Sequence, residues 1–295
     1  EHIRKDFGSV CAVRDVSFVI PEGTTYGLIG PNGAGKTTTM RAILGILAVD
    51  AGRIAWKGTA VDGRMRRRFG YLPEERGLYG RMSVIEQIDY FAQLHGLRGG
   101  EGKRRAREWI ARLELEGYAD RPCSELSKGN QQKVQIACAA VHAPELLVLD
   151  EPFSGLDPVN AEILLAILQG LKADGTTLVL SSHQMWQLEV LCTGFCIVSG
   201  GRNRLAGTLA ELRARMPARV VRAAPSSEAV RNVLGAVPGA RPVESEPGVA
   251  AYEVPAATDF AAVLSRLVAA DAIVRFEAVE PSLREIYLAA VGEAA

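Results

Sequence analysis

One stretch of nine residues has the composition and spacing of a phosphate-binding loop. It fits the pattern G-x-x-x-x-G-K-[ST], and it lies between a β-rich run and an amphipathic helical pattern. Glycines let such a loop turn tightly, so backbone amides approach a phosphate chain closely. A glycine-rich turn without a ligand would not need this context, so we predict that the chain binds a nucleoside triphosphate. The residues are Gly30, Pro31, Asn32, Gly33, Ala34, Gly35, Lys36, Thr37 and Thr38.

Within this loop two side chains have a predicted chemical role. The Lys36 ammonium would reach the outer phosphates of the nucleotide, and the Thr37 hydroxyl would be a ligand of Mg²⁺. The predicted cofactors are therefore ATP and Mg²⁺.

Two further apolar runs end in polar side chains. Residues 146–149 are followed by Asp150 and Glu151, and residues 177–180 are followed by two serines and His183. Continuous apolar runs of this length are typical of parallel strands buried on both faces. Because ligands of open α/β sheets bind outside the carboxyl ends of the strands, we expect these groups to converge with the phosphate loop on one site.

The elements around these groups are predicted from apolar spacing. Residues 10–20 alternate as a strand, and residues 53–57 form a second one, which suggests a small antiparallel sheet beside the nucleotide. Residues 84–94 and 102–115 have helical spacing and predict a helical insert. A further helix is predicted over 127–141, with a serine suited to its N-cap.

The last part of the chain differs in character after about residue 208, where alanine, valine and proline become more frequent. The predicted order there is β-α-β-β-α-β followed by a helix, which is the ferredoxin-like order. We interpret residues 209–295 as an accessory interaction or regulatory domain. The predicted elements are strand 219–223, helix 227–234, strands 241–244 and 250–254, helix 259–269, strand 273–278 and a helix from residue 281.

Composition argues against several classes of protein. Lys plus Arg and Asp plus Glu number 34 each, so the formal net charge is zero, whereas nucleic-acid binders usually have a basic excess. The basic runs at 64–68 and 103–107 are interpreted as solvated faces. The five cysteines are scattered without zinc-site spacing, which suits a reducing compartment. No apolar run is as long as a membrane span and no signal peptide is evident, so we expect a soluble, cytoplasmic chain.

Taken together, these motifs are similar to those of the ATP-binding-cassette (ABC) ATPases. The resemblance covers about the first 208 residues. Residues 71–79 and 126–132 further resemble the bacterial sodium-extrusion and drug-export branch, whose members carry an extra C-terminal domain. The five motifs, in the order this family implies, are the loop at 30–37, the signature at 126–132, the strand at 146–151, the loop at 154–157 and His183.

The resemblance implies a fold and two domains. The fold is an α/β P-loop NTPase sheet with a small antiparallel β subdomain and a helical insert, followed by a ferredoxin-like α+β domain. The implied boundaries are 1–208 for the nucleotide-binding ATPase domain and 209–295 for the accessory domain.

The resemblance also implies roles for individual residues. Asp150 would hold Mg²⁺ through water, Glu151 would polarise the attacking water, and His183 would contact the γ-phosphate. Phe7 falls where this family places an aromatic residue that stacks on adenine, although its position alone favours a place in the core.

Two residues of the signature imply a dimer. In the family, the residues that match Ser127 and Gly129 contact the γ-phosphate bound to the opposite subunit. Because this chain has one phosphate loop and one signature, two composite sites require a homodimer or a heterodimer with a sister ATPase subunit. ATP would close this dimer and hydrolysis would reopen it, with Asp157 at the interface.

The chain departs from the family pattern at two places. Lys128 and Asn130 stand where the common signature has glycine and glutamine. Glu74 stands where most members have a glutamine that senses Mg²⁺ and couples to the membrane subunits, and its carboxylate requires a proton or a cation partner near the metal. Arg76 is the candidate cation.

The function predicted from these features is that of the ATP-hydrolysing subunit of a membrane exporter, lying in the cytoplasm at the inner face of the membrane. Separate transmembrane permease subunits would dock on residues 76–93. One alternative is a soluble cassette ATPase that acts on nucleic acid or ribosomes, which neutral charge and the single cassette disfavour. The other is a nucleotide sensor without turnover, which the intact Lys36, Asp150, Glu151 and His183 disfavour.

Overall fold

The computed structural model describes residues 1–75, 77–182 and 184–292 of the chain. By its internal contacts the chain divides into two compact units, Glu1–Thr208 and Leu209–Ala295. Within the described residues, no helix combines the length and the apolar character needed to cross a membrane.

The first unit is built on one eight-stranded sheet with the order β1-β2-β10-β9-β3-β8-β7-β6, and β4 and β5 form a separate hairpin. Its strands are β1 (Ile3–Phe7), β2 (Val10–Val16), β3 (Thr25–Ile29), β4 (Ala55–Trp56), β5 (Thr59–Ala60), β6 (Phe69–Leu72), β7 (Leu146–Leu149), β8 (Thr177–Ser181), β9 (Gly194–Ser199) and β10 (Arg202–Gly207). Its helices are α1 (Lys36–Ile43), α2 (Gly63–Arg66), α3 (Val84–Leu94), α4 (Glu101–Arg112), α5 (Lys128–Ala140), α6 (Pro158–Ala173) and α7 (Met185–Leu191).

The centre of this sheet is parallel and buried. Strands β6, β7, β8, β3 and β9 pair in parallel, and every residue of β3, β7 and β8 is buried. A strand buried on both faces needs a continuous apolar run, which is why the predicted strands at 146–149 and 177–180 are found in the structure. The carboxyl ends of β3, β7 and β8 therefore lie at one edge of the sheet.

The antiparallel part differs from the sequence-based expectation. The strand predicted over 10–20 ends at Val16, and it pairs antiparallel with β1, which was not predicted. Through β10 this hairpin continues the main sheet, while the strand predicted over 53–57 is reduced to the two residues of β4. Only Ile3 among the five residues of β1 is buried. The sequence of this strand therefore has no clear apolar alternation.

The helical insert consists of α3 and α4, which pack against each other. Helix α3 begins after Ser83, whose hydroxyl accepts a hydrogen bond from Glu86 N while the Glu86 carboxylate accepts one from Ser83 N. This capping box satisfies two backbone donors at the helix start. Helix α3 has the predicted bounds, whereas α4 begins one residue earlier and ends three residues earlier than predicted.

The second unit is a four-stranded antiparallel sheet with the order β12-β13-β11-β14, packed against α9 and α10. The β-α-β-β-α-β order of its elements is that of the ferredoxin-like fold. Its elements are α8 (Leu209–Ala214), β11 (Ala218–Ala224), α9 (Glu228–Gly235), β12 (Arg241–Pro242), β13 (Ala250–Pro255), α10 (Phe260–Ala270), β14 (Arg275–Val279) and α11 (Leu283–Gly292).

Candidate nucleotide site

The phosphate loop runs from the end of β3 to the start of α1, and two of its positions admit only glycine. A Cβ on Gly30 would lie 2.3 Å from Val198 O, and a Cβ on Gly35 would lie 2.6 Å from Ala12 O. Gly35 also has φ = +98°, which side-chain-bearing residues rarely adopt. The loop is therefore held tightly against β2 and β9.

The amino end of α1 and Lys36 give the loop its positive character. Helix α1 begins at Lys36, so the backbone N–H groups of its first turn have no partner within the helix. The Lys36 ammonium donates hydrogen bonds to Gly30 O at 2.8 Å and to Pro31 O at 3.1 Å, so it lies across the same loop. An ammonium group and free helix-end amides together form a site suited to a phosphate chain.

Three side chains connect the loop to the ends of β7 and β8. The Thr37 hydroxyl donates a hydrogen bond to Asp150 Oδ2 at 2.7 Å, and the Ser181 hydroxyl donates one to Asp150 Oδ1 at 2.5 Å. Asp150 is only 1% exposed, and each of its carboxylate oxygens accepts one of these hydrogen bonds. Its buried polar atoms are therefore satisfied by protein hydroxyls. A buried carboxylate beside a hydroxyl supplies the oxygen ligands that Mg²⁺ prefers, so these residues fit the metal.

Ser181 also positions the second acidic residue. Its hydroxyl oxygen accepts a hydrogen bond from Glu151 N at 2.9 Å. Glu151 has φ = +51°, a left-handed backbone conformation that is unusual for glutamate and that turns the chain sharply after β7. The next residue is anchored as well, because the Gln132 side chain of α5 donates to Pro152 O at 3.0 Å. We did not predict Ser181 as a site residue. The signal that could have indicated it is its position directly after the apolar run 177–180, at the carboxyl end of the strand.

Ser127, Gly129 and Asp157 lie together at the amino ends of α5 and α6. The Ser127 hydroxyl caps α5 by accepting from Asn130 N at 3.3 Å, and Asp157 caps α6 by accepting from Asn160 N at 3.0 Å. A Cβ on Gly129 would lie 3.3 Å from Asn160 Nδ2, so the two helix ends adjoin. The Asn160 backbone hydrogen bond, with its side-chain amide, lowers the pKa of Asp157. Among the described residues, the Ser127 hydroxyl bonds within α5 and not to the phosphate loop.

The remaining predicted site residues are less closely tied to this network. Phe7 ends β1 with 50% of its surface exposed, and the Lys5 ammonium lies 5.6 Å from the centre of its ring, which is not the environment of a core residue. Glu74 is exposed in the segment after β6, whose Leu72 O accepts a hydrogen bond from Asp150 N at 2.9 Å. His183 and Arg76, predicted for the γ-phosphate and for charge compensation, lie outside the described residues.

Comparison with known proteins identifies the class to which this fold and site belong. The family described as "ABC transporter" matches residues 13–154, and the family described as "ATP-binding protein DrrA1-3-like, C-terminal domain" matches residues 207–291. The chain belongs to the ATP-binding proteins of ABC transporters, a family of ATP-hydrolysing, nucleotide-binding subunits. The predicted family, fold class and enzyme class are thereby confirmed.

Individual proteins support the same assignment. The protein described as uncharacterized ABC transporter ATP-binding protein YhaQ, of Bacillus subtilis (strain 168), is 46% identical over 213 residues, which cover 72% of each chain. Nod factor export ATP-binding protein I of Ralstonia nicotianae is 35% identical over 72% of this chain and 67% of its own. A solved structure described as "Structure of ATP binding subunit of ABC transporter" superposes with a TM-score of 0.68 at 35% identity, over 73% of this chain and 91% of that one.

Proposed function

We propose that this chain is the ATP-hydrolysing subunit of an ABC exporter, that it binds MgATP at the edge formed by the phosphate loop, β7 and β8, and that it drives separate transmembrane subunits. The observation that carries the proposal is the network of Thr37, Asp150, Ser181 and Glu151. It joins two hydroxyls, the Asp150 carboxylate and the Glu151 backbone from three segments, next to Lys36 in the sequence of the loop.

The proposed chemistry depends mainly on position and charge. Hydrolysis of a phosphoanhydride requires little covalent help, so catalysis comes from orienting water and compensating charge on the phosphates. Lys36 would bind the outer phosphates, and Glu151, fixed through its backbone to Ser181, would orient the attacking water and accept its proton. Thr37, and Asp150 through water, would hold Mg²⁺, which would supply positive charge to the phosphate chain.

Three further residues complete the proposed site. His183 would contact the γ-phosphate from the chain segment that follows β8. Phe7 would stack on the adenine, for which its half-exposed ring at the end of β1 is suited. Glu74 would lie near the metal, where its negative charge requires a cation or a proton.

We propose that two subunits form composite sites. Ser127 and Gly129 would contact the γ-phosphate bound to the opposite subunit, with Asp157 at the same interface. Their common location at the adjoining ends of α5 and α6, and the absence of a Ser127 hydrogen bond to the loop within the described chain, support this arrangement. The partner is a second copy or a sister ATPase subunit.

A groove beside the helical insert is the proposed docking place of the transmembrane subunits. Its cavity measures about 360 Å³ and is mostly apolar. Tyr79, in the predicted docking region, and Leu94, one residue beyond it, are more than half exposed, and such apolar surface favours association. The groove is lined mainly by Phe69, Tyr71, Leu78, Phe91 and Cys138.

The direction of transport, the location and the domain division are part of the same proposal. Export is supported by the relative named for Nod factor export. Docking on transmembrane subunits would place the chain at the cytoplasmic face of the membrane. The division into a nucleotide-binding domain at 1–208 and an accessory domain at 209–295 is supported by the two compact units and by the separate family matches.

The experiment that tests the proposal is Glu151→Gln, with steady-state ATP hydrolysis and ATP binding measured separately. Losing the general base should reduce hydrolysis by about 100-fold or more, while MgATP binding stays within about twofold, because the amide keeps the shape of the side chain. Glu145→Gln is the matched control. Glu145 directly precedes β7, at the end of that strand away from the site, and it pairs with Lys57 and Arg68. Hydrolysis by Glu151→Gln at the control rate would contradict the assigned role.

A further inference from the structure

Three large apolar side chains on α6 and α7 are exposed. Val159 is 67% exposed, Trp186 57% and Val190 54%. Trp186 and Val190 are four residues apart on α7 and therefore lie on one face of that helix. Val159 lies in the first turn of α6, which packs against α7. We refer to these three residues as the apolar patch.

The patch belongs to the edge of the sheet where the nucleotide site lies. Helix α6 follows β7 and is capped by Asp157, and α7 begins four residues after Ser181, the last residue of β8. Both helices therefore begin at the edge where the Ser181 hydroxyl meets Asp150. The patch lies on different elements from the docking groove, which is formed by residues of α2, β6, α3 and α5 and of the segments that follow α1, β6 and α3.

We propose that a second copy of this chain covers the apolar patch when two ATP-bound chains close, and that Trp186 is the main apolar anchor of the closed dimer. The inference rests on the dimer proposed above. For a second copy to bring its Ser127 to a γ-phosphate at Lys36, it has to approach the carboxyl edge of β7 and β8. That edge carries the patch, so the approaching copy is the molecule placed to cover it.

The chemistry of the patch favours a protein surface as its occupant. A tryptophan side chain buries about 150–250 Å² when it is covered. Tryptophan is also enriched among the few residues that supply most of the energy of an interface. In a two-fold dimer the same patch is presented by both copies, so each closure covers two tryptophans.

The first test is acrylamide quenching of tryptophan fluorescence in Glu151→Gln, which we expect to bind ATP without hydrolysing it. The chain has three tryptophans, of which Trp109 is 6% exposed and Trp56 is half-buried with its ring N–H bonded to Glu145. Quenching in the absence of ATP therefore reports mainly on Trp186. We expect MgATP to lower the quenching constant at least twofold as the dimer forms, and Trp186→Gln to remove this change.

The second test is the dimer dissociation constant with MgATP, measured by light scattering or sedimentation in the Glu151→Gln background. Trp186→Gln should weaken the dimer by roughly tenfold or more, as expected for loss of an interface anchor. Val190→Gln should weaken it by a smaller factor. Val19→Gln is the control, because Val19 is 78% exposed in the segment that leads to the opposite end of β3, and it should change the constant less than twofold.

The outcomes separate this inference from the function on which it rests. An ATP-driven dimer with unchanged quenching, or with unchanged affinity in Trp186→Gln, overturns the role of the patch and leaves the composite site standing. Quenching that is already low without ATP shows that the patch is covered in the single chain, and this also overturns the inference. If Glu151→Gln binds ATP but never dimerises, both the composite site and the patch proposal fail.

Discussion

At the scale of single residues, Ser181 connects the two acidic groups of the site. Its hydroxyl donates to the Asp150 carboxylate and accepts from the Glu151 backbone N–H. One oxygen atom therefore contacts both acidic residues. We predict that Ser181→Ala lowers kcat for ATP hydrolysis by about tenfold or more and lowers the free energy of unfolding by about 2 kcal/mol, because it leaves buried polar groups unsatisfied. Steady-state kinetics and urea unfolding measure the two effects.

The control for this prediction is Thr177→Val, at the opposite end of the same strand. The Thr177 hydroxyl is fully buried and accepts a hydrogen bond from Gly23 N at 2.9 Å. Its loss should reduce stability by a similar amount while kcat stays nearly unchanged. If both variants lose activity in proportion to their stability, Ser181 has only a structural role.

The role of Ser181 illustrates what the sequence does not reveal at this scale. Asp150 and Glu151 were predicted as site residues because they follow an apolar run and match a known motif. The contact of Ser181 with Asp150 depends on the register of two parallel strands, in which Leu149 pairs with Leu180. Register between strands that are distant in sequence is not encoded in the local pattern of either strand.

At the scale of elements, the phosphate loop contains two glycines with different constraints. Both Gly33 and Gly35 have positive φ, but a Cβ on Gly33 meets nothing within 4 Å, whereas a Cβ on Gly35 would lie 2.6 Å from Ala12 O. We predict that Gly33→Ala costs about 1–2 kcal/mol of stability from backbone strain alone. Gly35→Ala should cost clearly more, because β2 or the loop has to move.

Unfolding of the two variants in urea without nucleotide measures this difference, since a bound phosphate would add contacts of its own. Nucleotide binding should be lost in Gly35→Ala, because the loop can no longer hold its position against β2. Equal destabilisation by the two substitutions would contradict the close approach of the loop to Ala12.

A second prediction at this scale concerns the joint between the helical insert and α5. The rings of His95, after α3, and His142, after α5, stack with centroids 3.6 Å apart, and His142 Nε2 lies 3.2 Å from Phe69 O. Burial, followed by the nearby His95 and Arg105, lowers the pKa of His142 to about 3. Because the unfolded chain binds this proton near pH 6.5, acid favours unfolding between these two values.

The stability contributed by neutral His142 is therefore complete above about pH 6.5 and is lost as the pH falls toward 3. At pH 5 the loss is about 2 kcal/mol. Between pH 7.5 and pH 5, the free energy of unfolding of the unmodified chain should fall by about 2 kcal/mol more than that of His142→Gln. Urea unfolding at the two pH values measures this difference. His2→Gln, at an exposed position, should behave like the unmodified chain. The same pH dependence in all three proteins would show that His142 is protonated in the folded state.

The elements themselves were predictable to different degrees. Helix α3 has the bounds expected from its apolar spacing and from the serine before it, because helix caps and periodicity are local signals. Strand β1 was not predicted, since its charged, half-exposed sequence carries no clear pattern and its pairing with β2 defines it. The two residues of β4 fall below the length at which periodicity is informative.

At the scale of the whole molecule, the change in composition near residue 208 and the division into compact units after Thr208 both support the proposed two domains. A domain with its own core needs its own set of apolar runs, which is why the β-α-β-β-α-β order was visible in the sequence. The partner subunits were predicted from the family resemblance, because no local pattern in one chain specifies the surface of another.

The proposed composite sites predict complementation between two inactive variants. In Lys36→Ala, both sites of a homodimer lack the phosphate-binding ammonium, and in Ser127→Arg both lack the contact from the opposite subunit. In a mixed dimer, one site carries both defects, and the other combines the intact Lys36 of one chain with the intact Ser127 of the other. Random pairing makes half of the dimers mixed, so an equimolar mixture should regain about a quarter of the unmodified ATPase activity. Steady-state hydrolysis over a range of mixing ratios, with a maximum at equal amounts, measures this recovery.

A mixture of Lys36→Ala with Glu151→Gln is the control, because both defects act on the nucleotide bound to their own chain. Each site of the mixed dimer then keeps one defect, so activity should stay low. Recovery in the control but not in the test mixture would contradict the assignment of Ser127 to the opposite site, and no recovery in either would favour a sister subunit as the natural partner.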